Sequence, residues 1–263
     1  MTAEAPVLVT REDHVLIITL NRPESLNAVN ASVSAAAGDA LQYAQEDPEV
    51  RVVVVTGSGR GFCAGMDLKA YARGEDVAAP QHPEWGFAGL TRHFIDKPLI
   101  AAVNGFALGG GCEIVLACDL AIASQAATFG LSEVKRGLFA GGGGVFRLPR
   151  VVPRRVAMEM ILTGEAISAD AALQNGLVNR VVAPEQLLDE TLRIARAIAA
   201  NGPLAVQASK RLVHETFRYG SDWDDEIWRL NDRAAERVLG TEDGREGARA
   251  FAERRAPVWK TGR

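Results

Sequence analysis

Two glutamates in unusual surroundings are the residues of this sequence best suited to chemistry. Glu113 follows three consecutive glycines and lies in the otherwise apolar segment Cys-Glu-Ile-Val-Leu. Glu133 lies in the segment Phe-Gly-Leu-Ser-Glu-Val, shortly before a second glycine run at residues 141–144. A carboxyl group among apolar residues has a raised pKa, which suits it to proton transfer near neutral pH. We therefore expect Glu113 and Glu133 to form an acid/base pair.

An ion pair is the alternative explanation for each of these glutamates. Arg136 and Arg147 follow closely in the sequence and are the candidate partners. A carboxylate paired in this way would stay ionised and would serve the fold rather than a reaction. The sequence leaves both explanations open.

Glycine clusters suggest how the chain would stabilise negative charge. The chain has 26 glycines in 263 residues, against a usual share of about 7%, and they cluster at residues 57–65, 109–111 and 141–144. Position 62 is phenylalanine and no GxxxxGK[ST] motif occurs, so neither glycine-rich phosphate loop is present. Unpaired amide N–H groups at a helix start stabilise a negative oxygen, and two that converge would form an oxyanion hole for a developing enolate. The alternative is that these glycines only make tight turns between strands and helices.

The elements that must position these residues follow from the hydrophobic pattern. Residues 7–9 and 15–20 read as a hairpin, and β-branched runs predict buried strands at residues 52–56, 99–103 and 120–123. Helices that alternate with these strands predict an α/β core with largely parallel strands, followed by an all-helical region. The polar segment 73–85 is predicted to be a functional loop. The predicted helices are residues 31–46, 66–72, 87–94, 110–117, 154–162, 168–175, 184–200, 203–217, 222–239 and 243–254.

The composition excludes several classes of protein. With 29 Lys and Arg against 33 Asp and Glu, the net charge of −4 argues against a general binder of nucleic acids or anionic membranes. Three cysteines without a CxxC pair predict neither a disulfide framework nor a zinc site. There is no apolar run of about 18 residues and no secretory signal pattern at the N-terminus. We expect a cytoplasmic protein without a metal.

Several short motifs follow one another in a fixed order along the chain. They are Asn21-Arg22-Pro23, Leu26-Asn27-Ala28, residues 62–69 (Phe-Cys-Ala-Gly-Met-Asp-Leu-Lys), residues 97–105 (Lys-Pro-Leu-Ile-Ala-Ala-Val-Asn-Gly), residues 109–113 (Gly-Gly-Gly-Cys-Glu), residues 129–133 (Phe-Gly-Leu-Ser-Glu), residues 162–164 (Leu-Thr-Gly) and residues 251–255 (Phe-Ala-Glu-Arg-Arg). In this order they resemble the crotonase (enoyl-CoA hydratase/isomerase) superfamily. They extend over nearly the whole chain, which makes the resemblance more specific than any single motif.

The resemblance implies a fold and a division of the chain. The expected fold is an α/β spiral of ββα units with a C-terminal helical trimerisation region. Residues 1–200 would form the core for acyl-CoA binding and catalysis, and residues 201–263 would form the oligomerisation region. The implied assembly is a homo-oligomer, either a trimer or a hexamer built as a dimer of trimers, without nucleic acid or membrane as a partner.

The resemblance also implies roles for individual residues. Met66 and Gly110 take the two oxyanion positions and act through their backbone N–H groups. Glu113 and Glu133 take the positions of the hydratase glutamate pair. We assign Glu113 as base and Glu133 as acid, and the sequence leaves the reverse assignment open because two carboxyl groups that share one water titrate as a coupled unit. No separate cofactor is implied, because coenzyme A is part of the substrate. The residues expected to contact the substrate or its CoA portion are Ala64, Met66, Asp67, Leu68, Lys69 and Arg254.

The implied activity is an enoyl-CoA hydratase, which adds water reversibly and with syn geometry to a 2-enoyl-CoA in fatty-acid or lipid metabolism. The loop at residues 139–150 departs from the usual hydratase sequence and looks more like the carnitinyl-CoA dehydratase and steroid-side-chain branches. A dehydratase or isomerase for another acyl group is therefore an alternative. A relative that binds acyl-CoA or RNA without turnover is a further alternative, against which the paired glutamates count. A serine peptidase of the related Clp fold is disfavoured because no G-x-S-x-G motif is present.

Overall fold

Strands alternate with helices through the first two thirds of the chain in the computed structural model, which describes residues 5–219, 221 and 224–260. The strands are β1 Val7–Glu12, β2 Val15–Leu20, β3 Val52–Gly57, β4 Leu99–Val103, β5 Phe106–Leu108, β6 Leu120–Ser124, β7 Thr128–Gly130, β8 Ile167–Ser168 and β9 Arg180–Val182. The helices are α1 Ala31–Glu46, α2 Leu68–Ala72, α3 Gly110–Ala117, α4 Gly144–Val151, α5 Arg154–Thr163, α6 Ala169–Gln174, α7 Leu187–Ala199, α8 Pro203–Thr216, α9 Asp225–Leu239 and α10 Glu242–Glu253.

The larger of two sheets carries the core. Its six strands lie in the order β1-β2-β3-β4-β6-β9, and every neighbouring pair except the β1–β2 hairpin is parallel. Side chains of one strand alternate between the two faces, so Val53 and Val55 pack in the main core while Val52 and Val54 pack against α7. A sheet covered on both faces needs continuous apolar strands, and this explains the run of four valines in β3. The predicted α/β core with largely parallel strands is confirmed.

A second, smaller sheet stands next to the first and completes each repeating unit. It contains β5, β7 and β8, with β5 and β7 parallel, and Cys63 extends it through a parallel bridge to Ala107. The chain thus passes from the large sheet to the small one and then into a helix or turn, first from β3 through Cys63 to α2, then from β4 through β5 to α3, and again from β6 through β7 to the turn at Glu133. This is the expected spiral of ββα units.

The pattern-based prediction is wrong over residues 87–94 and incomplete elsewhere. In place of a helix over residues 87–94 there is only a short 3₁₀ turn, Phe87–Gly89. Ala88 has φ +57° and Gly89 has φ +65°, which a right-handed helix does not allow, and α1 approaches Gly89 too closely for a side chain. The glycine-rich segment, predicted only as a loop, continues into α4. Strands β5, β7, β8 and β9 were not predicted because two or three residues are too few to show a period.

Helices follow one another from residue 187 to residue 253, interrupted only by short connections. Helix α9 begins at Asp225, and the predicted helix start at residues 222 and 223 lies outside the described residues. Helix α10 packs on α9, and Trp259 Nε1 donates a hydrogen bond to the Ala200 carbonyl at 2.8 Å. The role of residues 201–263 in oligomerisation stays a prediction. Across the described ranges, the helices are too short or too polar to span a bilayer.

Asn27 ties together the loops that precede the site. It is buried and adopts φ +56°. Its Oδ1 accepts a hydrogen bond from the Arg22 N–H at 2.9 Å, and its Nδ2 donates to the carbonyls of Ser58 and Gly61, each at 2.9 Å. A single side chain therefore satisfies three backbone groups from two separate loops.

We expect Asn27→Ala to lower the free energy of unfolding by about 2–4 kcal/mol, because it removes three hydrogen bonds to buried or half-buried backbone groups and places alanine in the left-handed region. Asn21→Ala is the matched control. Its amide donates to the Ala5 carbonyl at an exposed position, so the loss there should stay within about 0.5 kcal/mol. Urea denaturation of the two variants measures the difference, and equal losses would contradict the role given to Asn27.

Candidate active site

Three of the predicted site residues follow the three parallel segments of the small sheet. Met66 comes three residues after Cys63, Gly110 two residues after β5, and Glu133 three residues after β7. The carboxyl ends of neighbouring parallel strands lie at one edge of a sheet, where ligands commonly bind in open parallel sheets. Hydrogen bonds fix the pairing, since Leu108 N–H donates to the Cys63 carbonyl at 3.0 Å and Gly109 N–H to the Gly130 carbonyl at 2.8 Å.

The Met66 amide N–H is left free by a backbone bridge. Met66 pairs in parallel with Val29: Val29 N–H donates to the Gly65 carbonyl, and Asp67 N–H donates to the Val29 carbonyl, both at 2.8 Å. Successive N–H groups of an extended chain point to opposite sides, so the Met66 N–H faces away from Val29. It donates to no acceptor among the described residues. The predicted helix start at Met66 is wrong, because α2 begins at Leu68 with Asp67 as its N-cap.

The Gly110 amide N–H is free because it opens a helix. Gly110 is the first residue of α3, and the first N–H groups of an α-helix have no acceptor within the helix. Within the ranges that the structure describes, no other acceptor reaches this N–H. A Cβ added at Gly65, where φ is +92°, would lie 3.1 Å from the Gly110 nitrogen. The residue before Met66 thus touches the second predicted oxyanion amide, and the positive end of α3 lies behind it.

Glu113 is held by the glycine-rich loop that precedes α4. It lies on the first turn of α3 with 3% of its surface exposed, and its Oε1 accepts a hydrogen bond from the Gly144 N–H at 2.8 Å. A Cβ added at Gly142 would lie 2.6 Å from Oε2, so only glycine leaves room for the carboxylate there. Burial raises the pKa of Glu113 above its ordinary value, and the N–H groups of residues 142–144 and the charge of Arg147 offset only part of that rise.

Glu133 has fewer hydrogen-bond donors at its carboxyl group than Glu113 has. Its Oε2 is buried and has no hydrogen-bond partner among the described residues, although such atoms are almost always paired. Its Oε1 lies 3.2 Å from where a Cβ of Gly109 would stand, which places it beside the start of α3. Burial raises the pKa of Glu133 to about 7, and the charge of Glu113 adds to the rise. Glu133 can therefore hold or release a proton near neutral pH.

The two carboxyl groups share one small region of the protein. Burial and the charge of each glutamate raise the pKa of the same Cys112 thiol, which is fully buried and immediately precedes Glu113 in the sequence. The ion-pair alternative is wrong for both glutamates, since neither forms an ion pair across the described ranges. Arg136 is exposed, and Arg147 donates instead to the carbonyls of Gly142 at 2.9 Å and Thr91 at 2.6 Å.

The residues predicted to contact CoA lie in two places. Ala64 and Asp67 are half-buried, whereas Leu68 and Lys69 are exposed at the start of α2. The Asp67 carboxylate accepts hydrogen bonds from the N–H groups of Lys69 and Ala70 and pairs with Arg22 at 3.0 Å. Together these contacts outweigh burial and lower its pKa. Arg254 is exposed at the end of α10, and no described contact joins it to the other predicted residues.

The sequence pattern missed parts of the site that only folding assembles. The ring of Phe87 occupies the place where a Cβ of Gly110 would stand, so it forms a wall beside that amide. Leu131 packs against Gly144, whose N–H donates to Glu113. The glycine run at residues 141–144 was a visible signal, but its contact with Glu113 across 31 residues was not.

Comparison with known proteins agrees with this geometry. A family model described as enoyl-CoA hydratase/isomerase matches residues 10–262. The chain belongs to the enoyl-CoA hydratase/isomerase family. The resemblance found in the sequence motifs is thereby confirmed, and the fold is that of the family.

Individual members of the family carry two kinds of name. The chain is 44% identical over 254 residues to a carnitinyl-CoA dehydratase of Salmonella typhi, covering 95% of this chain and 97% of that protein. It is 47% identical to an enoyl-CoA hydratase of Mycobacterium tuberculosis H37Rv, whose crystal structure superposes with a TM-score of 0.93 and covers 99% of this chain and 100% of that one. A carnitinyl-CoA hydratase of Mycobacterium avium is 52% identical, with a TM-score of 0.79 and coverage of 98% and 99%.

We expect Glu133→Gln to stabilise the fold at high pH and not at low pH. The folded pKa of about 7 lies above the ordinary value of 4.5. The contribution of this carboxyl to the free energy of unfolding is therefore complete below pH 4.5 and is lost as the pH rises through 7. Glutamine does not ionise and so avoids this loss of stability, which we place at about 1–2 kcal/mol after allowing for partial exposure of the group. Urea denaturation at pH 5 to 8 measures it.

Glu165→Gln is the matched control for this titration, because Glu165 is exposed and pairs with Lys135 on the turn that carries Glu133. Its free energy of unfolding should stay within about 0.5 kcal/mol of that of the unsubstituted protein at each pH, because an exposed ion pair contributes little. If the free energy of unfolding of Glu133→Gln differs from that of the unsubstituted protein by the same amount at pH 5 and pH 8, the raised pKa of Glu133 is contradicted.

Proposed function

We propose that this protein catalyses the reversible syn addition of water to a 2-enoyl-CoA thioester, giving a 3-hydroxyacyl-CoA. The observation that carries the proposal is the half-buried carboxyl of Glu133, whose buried Oε2 has no hydrogen-bond partner among the described residues and whose pKa is about 7 near the buried carboxyl of Glu113. Burying such a group without a partner is costly for a fold. A role in proton transfer to a bound substrate accounts for it.

The thioester carbonyl oxygen binds between the N–H groups of Met66 and Gly110. As water attacks the β-carbon, the π electrons of the C=C bond move toward the carbonyl and an enolate develops. The two amides and the N-terminus of α3 stabilise its oxygen, an effect of about 3–4 kcal/mol for each donor. Membership of the family and the free state of both N–H groups support this assignment.

The two glutamates handle the protons. Glu113 accepts a proton from the attacking water, whose oxygen bonds to the β-carbon, and Glu133 donates a proton to the α-carbon as the enolate collapses. One water is consumed, and proton exchange between the carboxyl groups and solvent restores the starting state. The raised pKa of Glu133 fits the acid, and the N–H donors around Glu113 favour the ionised form that a base requires.

The acyl group is the open part of the proposal, and carnitinyl-CoA is the second candidate. Relatives at 44% and 52% identity are named carnitinyl-CoA dehydratase and carnitinyl-CoA hydratase. Loss of water from a 3-hydroxyacyl-CoA is the reverse of the same reaction, so both candidates use the same four groups. They differ in what the acyl pocket must accept at the far end of the chain.

The substrate's CoA portion also belongs to the proposal. Ala64, Met66, Asp67, Leu68 and Lys69 would line its path on one subunit, and Arg254 would reach a CoA phosphate of a neighbouring subunit in a trimer or a dimer of trimers. The exposed positions of Lys69 and Arg254 are compatible with phosphate contacts. No cofactor other than the substrate's own CoA is required by these steps.

We expect Glu133→Gln to lower kcat for hydration of crotonyl-CoA by about 10²–10⁴-fold, because glutamine cannot donate the proton to the α-carbon. The Kd for the saturated butyryl-CoA should change by less than about 3-fold, since binding uses other groups. Loss of absorbance of the conjugated thioester measures turnover, and isothermal calorimetry measures binding.

Glu165→Gln again serves as control and should keep the unsubstituted kcat. Unchanged turnover in Glu133→Gln would contradict the acid role. An unsubstituted protein that binds acyl-CoA but hydrates no enoyl-CoA would indicate a binding relative instead of an enzyme.

A panel of thioesters tests the acyl group. If the simple enoyl-CoA assignment is right, kcat/KM for crotonyl-CoA or a longer 2-enoyl-CoA should exceed that for crotonobetainyl-CoA, the dehydrated carnitinyl thioester, by more than about 10-fold, the ratio that 1.4 kcal/mol of selective transition-state binding gives. The opposite order would favour the carnitinyl alternative while leaving the proposed chemistry in place.

A further inference from the structure

Arg147 stands at the meeting point of two segments that border the site. It lies on the first turn of α4, where its own N–H donates to the Gly143 carbonyl at 2.9 Å. Its Nη1 donates to the Gly142 carbonyl at 2.9 Å and its Nη2 to the Thr91 carbonyl at 2.6 Å. One half-buried guanidinium thus joins two carbonyls that are 51 residues apart in sequence.

Each of these carbonyls belongs to a segment that touches the reacting groups. On one side, the loop at residues 142–144 surrounds the Glu113 carboxylate and donates the Gly144 N–H to it at 2.8 Å. On the other side, Thr91 is buried, and its N–H donates at 3.1 Å to the carbonyl of Phe87, whose ring packs on Gly110. The fork geometry of an arginine suits it to hold two acceptors at a fixed separation.

We propose that Arg147 is a positioning residue that holds the Glu113 loop against the Phe87 segment and so fixes the base relative to the oxyanion amide of Gly110. The proposal rests on the proposed function, because it assigns Arg147 to the geometry of that reaction. Arg147 contacts neither carboxyl group directly; it acts through the two segments that it joins.

The charge of Arg147 gives the proposal a readout that a purely structural role would not move. The groups that act on the ionisation of Glu113 are Arg147 and the N–H donors at residues 142–144, and Glu133 and Cys112 face the same region. Removing the positive charge raises the pKa of Glu113. In the pH profile of kcat/KM, the acidic limb should then move to higher pH, because Glu113 must be ionised to act as the base.

The test compares Arg147→Gln and Arg147→Lys with Arg150→Gln as the matched control. Arg150 lies on the same helix and places its guanidinium over the Phe146 ring at 5.6 Å, close to the 5.3 Å of Arg147. It is exposed and makes no hydrogen bond to either segment among the described residues. Arg150→Gln should therefore behave as the unsubstituted protein in every measurement.

Arg147→Gln should lower kcat by up to about 100-fold, as small displacements of reacting groups do, while the Kd for butyryl-CoA stays within about 3-fold. Its acidic limb should move to higher pH. Arg147→Lys keeps the charge but not the fork, so its acidic limb should stay in place while kcat falls. Hydrogen–deuterium exchange should become faster in both variants for peptides covering residues 82–94 and 139–146.

Hydrogen–deuterium exchange tests the positioning role of Arg147 even if the protein hydrates no thioester. If the unsubstituted protein hydrates no thioester, the proposed function fails. Unaltered hydrogen–deuterium exchange in both segments of Arg147→Gln would separately overturn the positioning role of Arg147. If Arg147→Gln does not fold, as judged by circular dichroism, Arg147→Lys decides: faster exchange in both segments supports the proposal, and unsubstituted exchange overturns it. The proposal is also overturned if Arg147→Gln folds and has the same kcat and the same acidic limb of kcat/KM as the unsubstituted protein.

Discussion

Parallel pairing of three short segments in the small sheet is the constraint on which the rest of the site depends. Cys63, β5 and β7 run side by side, so the residues that follow them emerge at one edge. These pairings bring together two backbone groups, the N–H of Met66 and the first N–H of α3 at Gly110, and one side chain, the Glu133 carboxyl. Because the oxyanion role that we propose for Met66 uses only its backbone N–H, a methionine side chain is compatible with that role.

The electrostatic consequence of this arrangement is that the charge of the buried Glu113 acts on the half-buried carboxyl of Glu133. Like charges at close range cannot both ionise without cost, so the more weakly satisfied group keeps its proton longer. Glu113 receives N–H donors from the glycine loop and a distant positive charge from Arg147, whereas, within the part of the chain that the structure describes, Glu133 receives none from outside its own turn. This difference in the surrounding backbone supports the proposal that the two carboxyl groups have opposite roles.

Sequence patterns predicted the parts of the molecule whose signal is local. Helix α1, strand β4 and helix α3 begin and end at the predicted residues, because long periodic or β-branched runs with clear stops specify them. Glu113 and Glu133 were also found locally, as carboxyl groups in apolar sequence. The 3₁₀ turn at Phe87 was missed because close packing against α1 overrides its helical spacing. The contact of Glu113 with Gly144 was missed because only the tertiary fold creates it.

The most direct test of this account is a crystal structure with acetoacetyl-CoA, a 3-oxoacyl thioester that resembles the enolate and cannot lose water. The account predicts that its thioester oxygen lies about 2.7–3.1 Å from both the Met66 and the Gly110 nitrogens, with the α- and β-carbons between Glu113 and Glu133. A thioester oxygen that contacts neither amide, or only one of them, would contradict it, as would either carboxyl turned away from the acyl group into an ion pair.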